Sequence, residues 1–334
     1  MRRAAAVILN YNDAEASIEA VKRLRDMSHI SHVIVVDNAS TDGSAELIGR
    51  YLDGLNEADR QKEEACSAKA KAGRHFKNSD ASPKLGSKDR PEEFELRYML
   101  VLSDRNGGYG YGNNIGVRYA YEVLGEGLCL IANPDSIFED ELLGSMLKAL
   151  EDEDTVLCGA VMSSKEKADY EDMISSAWPL RTAFSELLNS GPIMRRLFRK
   201  QLNYDRDWFS GGEEAEVGCV HGSLLLLDCK SFLALGGFDE RVFLYCEENI
   251  LAHKIRDRGY RIRLCLKGSY SHKGASSIKH AGLSACRRQA IRQSSERYYY
   301  RHYLKAGLLF MAFSYVFQMI VMLETFVYEK FLSK

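Results

Sequence analysis

The sequence predicts an α/β fold: a mostly parallel sheet with helices on both faces. Short apolar runs alternate with stretches of helical period, and each run closes on a cluster of polar turn residues. Runs that are apolar throughout suit parallel strands covered on both faces by crossover helices. Residues 4–9 and 33–36 are two such runs, and Ile18, Val21 and Leu24 between them fall on one helical face. Residues 37–44 form a turn rich in capping side chains that opens a helix from Ser44 to about Leu55. Residues 56–93, rich in Lys, Glu, Ala and Ser, break the pattern and read as an exposed, partly disordered insertion. Order resumes with a strand at 98–102, a glycine-rich loop, a helix near 114–124 and a strand at 128–132. A helix at 139–150 and a strand at 156–161 follow, whereas 165–215 is weakly periodic. A strand over 219–227, a short helix at 231–235, a helix at 247–258 and a strand at 261–266 complete the series.

Composition excludes several classes. The 334 residues are 46% hydrophobic with a net charge of -2, which fits an ordinary packed protein and argues against a nucleic-acid partner. Eight cysteines without a CxxC pair suggest neither a zinc site nor a disulfide framework, and Cys129 and Cys265 read as buried thiols in a reducing compartment. The first apolar run is too short for a signal peptide, so an intracellular protein is expected.

The C-terminal part differs in charge. Lys254 to Lys305 holds 14 Lys/Arg against two acids, and Ala306 to Leu323 holds no charge. Residues 1–275 are therefore expected as the α/β domain and 276–334 as a basic and apolar helical extension. Three readings of the apolar stretch stay open: a helix on an anionic membrane surface, a packed helix, and a span at the lower limit of length.

In open parallel sheets, ligands bind at the carboxyl ends of the strands. Asn10-Tyr11-Asn12, Asp37-Asn38, Asn106 to Asn114, Asn133-Pro134-Asp135 and His272 all fall there. Ordinary turn chemistry explains any one of these clusters and explains all five poorly. Five glycines between Gly107 and Gly116 let backbone approach a phosphate or sugar closely, yet neither the dinucleotide fingerprint nor a P-loop is present. Asp135 suits a hard divalent cation or a helix cap. Glu247-Glu248 opens a helix, so the pair either meets the helix dipole or supplies a general base.

These motifs, in order, resemble the family 2 glycosyltransferases of the GT-A fold, especially the rhamnosyltransferase-like branch of bacterial polysaccharide synthesis. The resemblance runs from about Ala5 to His272. It rests on Val7 to Asn12, Val35 to Ser44, Asn106 to Gly116, Asn133-Pro134-Asp135, Gly236 to Glu240, and Phe243-Leu244-Tyr245 before Glu247-Glu248. It implies that Asp37 and Asn38, with Asn10 and Asn12, line the nucleotide pocket of a nucleotide-diphosphate sugar. Asn106, Gly108, Asn113 and Asn133 would lie along the ribose and diphosphate. Asp135 and His272 would hold a divalent metal, Mg or Mn. Gly237, Asp239 and Glu240 match the acceptor-side loop, and Glu248 matches the usual base, with Glu247 beside it. Two departures stand out: the pair is Glu-Glu rather than Glu-Asp, and Ile250 replaces a further acid.

The resemblance thus implies an inverting, metal-dependent transfer to a glycan or lipid-linked acceptor in cell-surface polysaccharide synthesis. The enzyme would be cytoplasmic and peripheral at the inner membrane face, with a homo-oligomer left open. The alternatives are a catalytically silent nucleotide-sugar-binding scaffold and a sugar-phosphate nucleotidyltransferase. The latter is disfavoured because no basic glycine-rich motif follows the first strand.

Overall fold

A computed structural model describes residues 2–73, 97–272, 284–327 and 329–330. The chain runs β1 (Ala4–Asn10), α1 (Ala14–Arg25), β2 (Ile30–Asp37), α2 (Ser44–Gly73), β3 (Tyr98–Leu102), α3 (Gly108–Glu122), β4 (Leu128–Ala132) and β5 (Ser136–Ile137). It continues with α4 (Asp140–Ala149), β6 (Thr155–Met162), α5 (Tyr170–Ser176), β7 (Ala177–Trp178), α6 (Ala183–Ser190), α7 (Pro192–Leu197) and α8 (Arg199–Leu202). Then come β8 (Glu214–Val217), β9 (Cys219–Val220), β10 (Leu224–Asp228), α9 (Cys229–Ala234), α10 (Glu247–Asp257) and β11 (Arg261–His272). Two helices follow, α11 (Ala285–His302) and α12 (Leu308–Val327).

The main sheet has the order β3-β2-β1-β4-β10-β6-β11-β5, with β8 on β11. β3, β2, β1 and β4 are parallel, β10 runs antiparallel between β4 and β6, and β6 and β11 are again parallel. Alternate residues of β1 enter opposite cores, which is why the run is apolar throughout. Ala4, Ala6 and Ile8 join the layer under α1, α2 and α4, while Ala5 and Val7 join the layer under α3, α9 and α10. Each fully buried Val, Leu or Ile in these layers contributes about 1.5–3 kcal/mol. The register sets Asn10 beside Asp37 at the strand ends.

Two expectations change. α2 does not stop near Leu55 but runs to Gly73. Residues 56–73 lack large apolar side chains, yet they are strong helix formers without proline, and Glu57–Arg60 (2.8 Å) and Asp59–Lys62 (3.6 Å) pair along the helix. Low hydrophobicity here does not prevent a helix, and residues 74–96 lie outside the described residues. The glycine-rich stretch likewise forms the first turns of α3, not a loop. A Cβ on Gly110 would sit 2.8 Å from Cβ of Phe238, and one on Gly116 would press on Val7 and Val36. The glycines let the helix lie close against β1. Gly116→Ala should therefore cost about 1–3 kcal/mol through overpacking, despite gaining about 1 kcal/mol of helix propensity. Urea melts measure this, and a gain in stability would refute the close approach.

α11 is fastened to the α/β domain. Tyr299 and Tyr300 pack with Ile250, Val242 and Leu187, so the position of the family's missing acid is a core position here. Asp239 accepts hydrogen bonds from Tyr298 (3.0 Å), Tyr303 (2.6 Å) and Arg241 (2.8 Å). Burial works against its charge, but the bonds from Arg241, Tyr303 and Tyr298 hold its carboxyl well below the usual range. α12 is built inside out. Its buried stripe is Ser314, Gln318 and Val321, while Leu309 is 90% and Met319 68% exposed.

Candidate active site

The expected strand over 219–227 is broken. β9 ends at Val220, β10 begins at Leu224, and His221-Gly222-Ser223 turns into a cleft between them. The cleft holds about 870 Å³ and is lined on this side by Tyr109, Asn133, His221, Gly222, Glu247, Glu248 and His272. β10 pairs antiparallel with β4, and the Asn133 N–H donates to the Ser223 carbonyl at 2.9 Å, which fixes the floor. The Ser223 hydroxyl bonds the Tyr270 hydroxyl at 2.5 Å and lies 2.9 Å from Nδ1 of His221. Burial lowers the proton affinity of His221, and nearby His272 lowers it further against the pull of Glu248.

α10 delivers the two glutamates. Tyr245 (φ 72°) and Cys246 (φ 69°) are consecutive left-handed residues, a conformation costing about 1–3 kcal/mol each, immediately before Glu247. Glu248 is half-buried, and its Oε1 accepts the Gly222 N–H at 3.2 Å. Any side chain at 222 would collide with that carboxylate. Glu247 is 3% exposed with Oε1 unpartnered. Burial and the adjacent Glu248 push its carboxyl well above the ordinary range.

The amide residues form a second cluster at the ends of β1 and β2. Asn10 donates to Asp37 (2.7 Å) and to Ser40 (3.1 Å), and Asp37 also accepts the Ser40 N–H at 2.9 Å. Asn12 accepts from the Thr41 N–H (2.8 Å), and Asn38 donates to Asn106 (3.0 Å) and to the Gly108 carbonyl (3.1 Å). Asn113 donates to the Tyr109 carbonyl at 3.0 Å and leaves a buried, unpartnered Oδ1. This cluster adjoins the cleft rather than lining it. Tyr109 joins the two, its hydroxyl bonded to the Gly222 carbonyl and its N–H to Phe243.

Gly237, Asp239 and Glu240 stand off the cleft wall. A Cβ at Gly237 (φ 59°) would strike Asn114, Glu240 accepts from Asn114 at 2.9 Å, and Asp239 anchors α11. Sequence reasoning missed Tyr109 and His221 to Ser223, although a polar triplet inside an apolar run was a readable signal.

No protein-family model matches the chain. It is 24% identical over 160 residues to the rhamnosyltransferase WbbL of Escherichia coli (strain K12), a stretch covering 46% of this chain and 56% of that one. The chain thus spans about half the length of that curated relative. Its fold is similar to the solved mannosyltransferase PcManGT from Pyrobaculum calidifontis, in complex with GDP-Man and Mn2+, at TM-score 0.55 and 17% identity, over 97% of this chain and 74% of that one. It is similar at TM-score 0.54 and 12% identity to GalNAc-T7 with UDP, GalNAc and Mn2+, over 81% and 44% of the two chains. The chain resembles the family 2 glycosyltransferases in sequence and has the GT-A fold.

Asp135 meets His272 behind the cleft wall. Oδ1 of Asp135 lies 3.1 Å from Nε2 of His272, with Asn133 Nδ2 3.3 Å from the same nitrogen. Burial raises the Asp135 carboxyl, but the bond to His272, the charge of His272, a backbone bond and Arg23 together turn the net direction down. Adjacent ligands of an octahedral cation with bonds near 2.0–2.1 Å lie about 3 Å apart, so this pair fits two positions of one ion. Among the described residues no group of three or more His, Cys, Asp or Glu gathers there.

The far wall of the cleft includes Glu296 of α11, which accepts from Gln318 of α12 at 2.9 Å. Burial pushes its carboxyl up to about 7, helped by Glu186 and opposed by Arg292, Gln318 and Arg297. A folded-state value above the unfolded one gives stability that is fully present below about pH 4.5 and lost as pH rises toward 7. Wild type should therefore lose up to about 1.4 kcal/mol per pH unit across that window relative to Glu296→Gln. Parallel melts at pH 5 and 8 check this. Identical pH dependence of the two proteins would refute it.

Proposed function

We propose that the chain transfers a sugar, with inversion, from a nucleotide-diphosphate donor to an acceptor hydroxyl at a membrane surface. The acceptor is a glycan or lipid-linked glycan of cell-surface polysaccharide synthesis, and the enzyme works at the cytoplasmic face. One observation carries this reading: Glu248 and His272, from different elements, face one cleft with Asp135 directly behind His272.

Asp135 and His272 would hold a divalent ion, Mg or Mn. Such an ion, when bound, neutralises charge on a leaving diphosphate. Asn10, Asn12, Asp37 and Asn38 receive the nucleotide, while Asn106, Gly108, Asn113 and Asn133 follow the ribose and diphosphate. Glu248, oriented by the Gly222 N–H, takes the proton of the acceptor hydroxyl. Glu247, buried beside it with Oε1 unpartnered, positions the acceptor. Attack opposite the leaving group inverts the anomeric centre. Gly237, Asp239 and Glu240 support the acceptor side indirectly, through Asn114 and α11.

The test is release of nucleoside diphosphate from a set of UDP-, GDP- and dTDP-sugars with Mg or Mn and with EDTA. Metal-dependent release supports transferase chemistry. Donor binding without release identifies a silent scaffold instead.

α12 supports the membrane assignment. It is long and apolar enough to cross a bilayer, with mean hydropathy 1.7, but its polar stripe is packed on α11 through Gln293 and Arg297. A helix lying on the surface buries the outer face alone. Replacing Leu309 and Met319 together by Glu should cut pelleting with anionic vesicles at least tenfold, while leaving circular dichroism and nucleotide binding unchanged. Undiminished pelleting would remove α12 from the contact.

A further inference from the structure

A second cavity, of about 340 Å³, lies across a wall from the cleft. Leu180 and Tyr204 line it, while their neighbours Arg181 and Asn203 line the cleft. Arg181 Nε ties the two segments of this wall together by donating to the Leu202 carbonyl at 3.0 Å. α10 runs past both spaces: Glu247, Glu248 and Asn249 line the cleft, and Ala252, Ile255 and Arg256 line the second cavity. At about 1.5 Å per residue, Ile255 lies about 10 Å along the helix from Glu248.

Trp208, one of two tryptophans, stands at this cavity and is 51% exposed. It is nevertheless fixed. Its ring stacks on Tyr204, with centroids 4.7 Å and planes 20° apart, and its Nε1 donates to the Glu216 carbonyl at 2.8 Å. The Tyr204 hydroxyl accepts the Gly218 N–H at 2.7 Å, which holds the supporting ring in turn. With one face on Tyr204, the indole owes its exposure to its other face and its edges. Tyr260, also exposed, lines the same cavity. An aromatic plate already held on two sides loses little freedom when a ligand is laid on it.

The rim narrows the ligand. Arg256 lies 3.2 Å from Asp257, and Arg261 lies 2.7 Å from Asp154 and 3.3 Å from Asp152. These cations are paired, so the rim offers hydrogen-bonding groups without calling for an anion. Aromatic rings beside fixed polar groups suit a neutral ligand with an apolar face and a hydroxylated edge, and a pyranose ring is such a ligand.

We propose that Trp208, Tyr204 and Tyr260 form a second saccharide-binding site, which holds a unit of the glycan away from the transfer cleft. This rests on the transferase reading, which brings a glycan to the other side of the wall, and adds a point of retention separate from donor and base.

The full chain is titrated calorimetrically with hexasaccharides of rhamnose, mannose, glucose and N-acetylglucosamine, and separately with a nucleoside diphosphate and Mn2+. Wild type should bind at least one hexasaccharide with a Kd of about 1 mM or tighter. W208A and Y260A should each weaken that binding tenfold or more with circular dichroism unchanged, and W208F should recover part of the W208A loss. In W178F, Trp208 is the sole indole, and its emission should change along the same titration curve. Binding that survives both W208A and Y260A overturns the site, as does constant Trp208 emission while calorimetry registers binding. No binding of any hexasaccharide by wild type overturns the saccharide. A wild-type dimer that W208A converts to a monomer makes the plate a contact between copies and overturns the proposal as well. Failure of wild type to bind nucleotide with Mn2+ sinks the transferase reading itself, a separate result.

Discussion

Glu248→Gln should lower kcat by about 10²–10⁴-fold with donor affinity near wild type. The amide keeps the shape and the Gly222 N–H bond while removing the basicity. Glu247 makes the contrast. Its carboxyl is buried at the cleft with Oε1 unpartnered and positions the acceptor, so Glu247→Gln should mainly raise the acceptor KM. Steady-state kinetics on both variants, with donor affinity measured separately, decides between them. A deeper kcat loss for Glu247→Gln would move the base by one residue. Unchanged turnover in both would end the general-base assignment.

Asp135→Asn should abolish the gain in donor affinity that Mn2+ confers, a loss of tenfold or more. An amide is a poor partner for a hard cation beside a diphosphate. The substitution nearly preserves volume and can still meet His272, so folding should survive. Donor titrations with and without Mn2+, alongside thermal melts, measure it. A variant that retains the wild-type metal effect would make Asp135 an ordinary turn residue.

Much of this was legible because polar residues terminate apolar strands. Asn10, Asp37, Asn133 and His272 each follow such a run, and a parallel sheet must gather them at one edge. Two kinds of feature escaped. Glycines 108 to 116 read as a loop because propensity ignores the strand that a bare helix face can approach. The β9–β10 break escaped because hydropathy averages over Gly222, whose missing side chain makes room for Glu248. Position 250 shows the reverse case: an aliphatic residue where the family carries an acid is a packing choice, since Ile250 lies against Tyr299 and Tyr300.

The glycines of α3 also set an order of assembly. Four glycines in its first nine residues forfeit up to about 1 kcal/mol each of helix propensity, and a helix nucleus is already unfavourable in an isolated segment. α3 therefore has little tendency to form ahead of the sheet. It condenses onto β1 once β1, β2 and β4 are paired, bringing Tyr109 to Gly222 as it does so. Its backbone amides should consequently exchange with solvent only through openings that also loosen the strands, and the donor and acceptor halves of the cleft come into being in a single late step of folding.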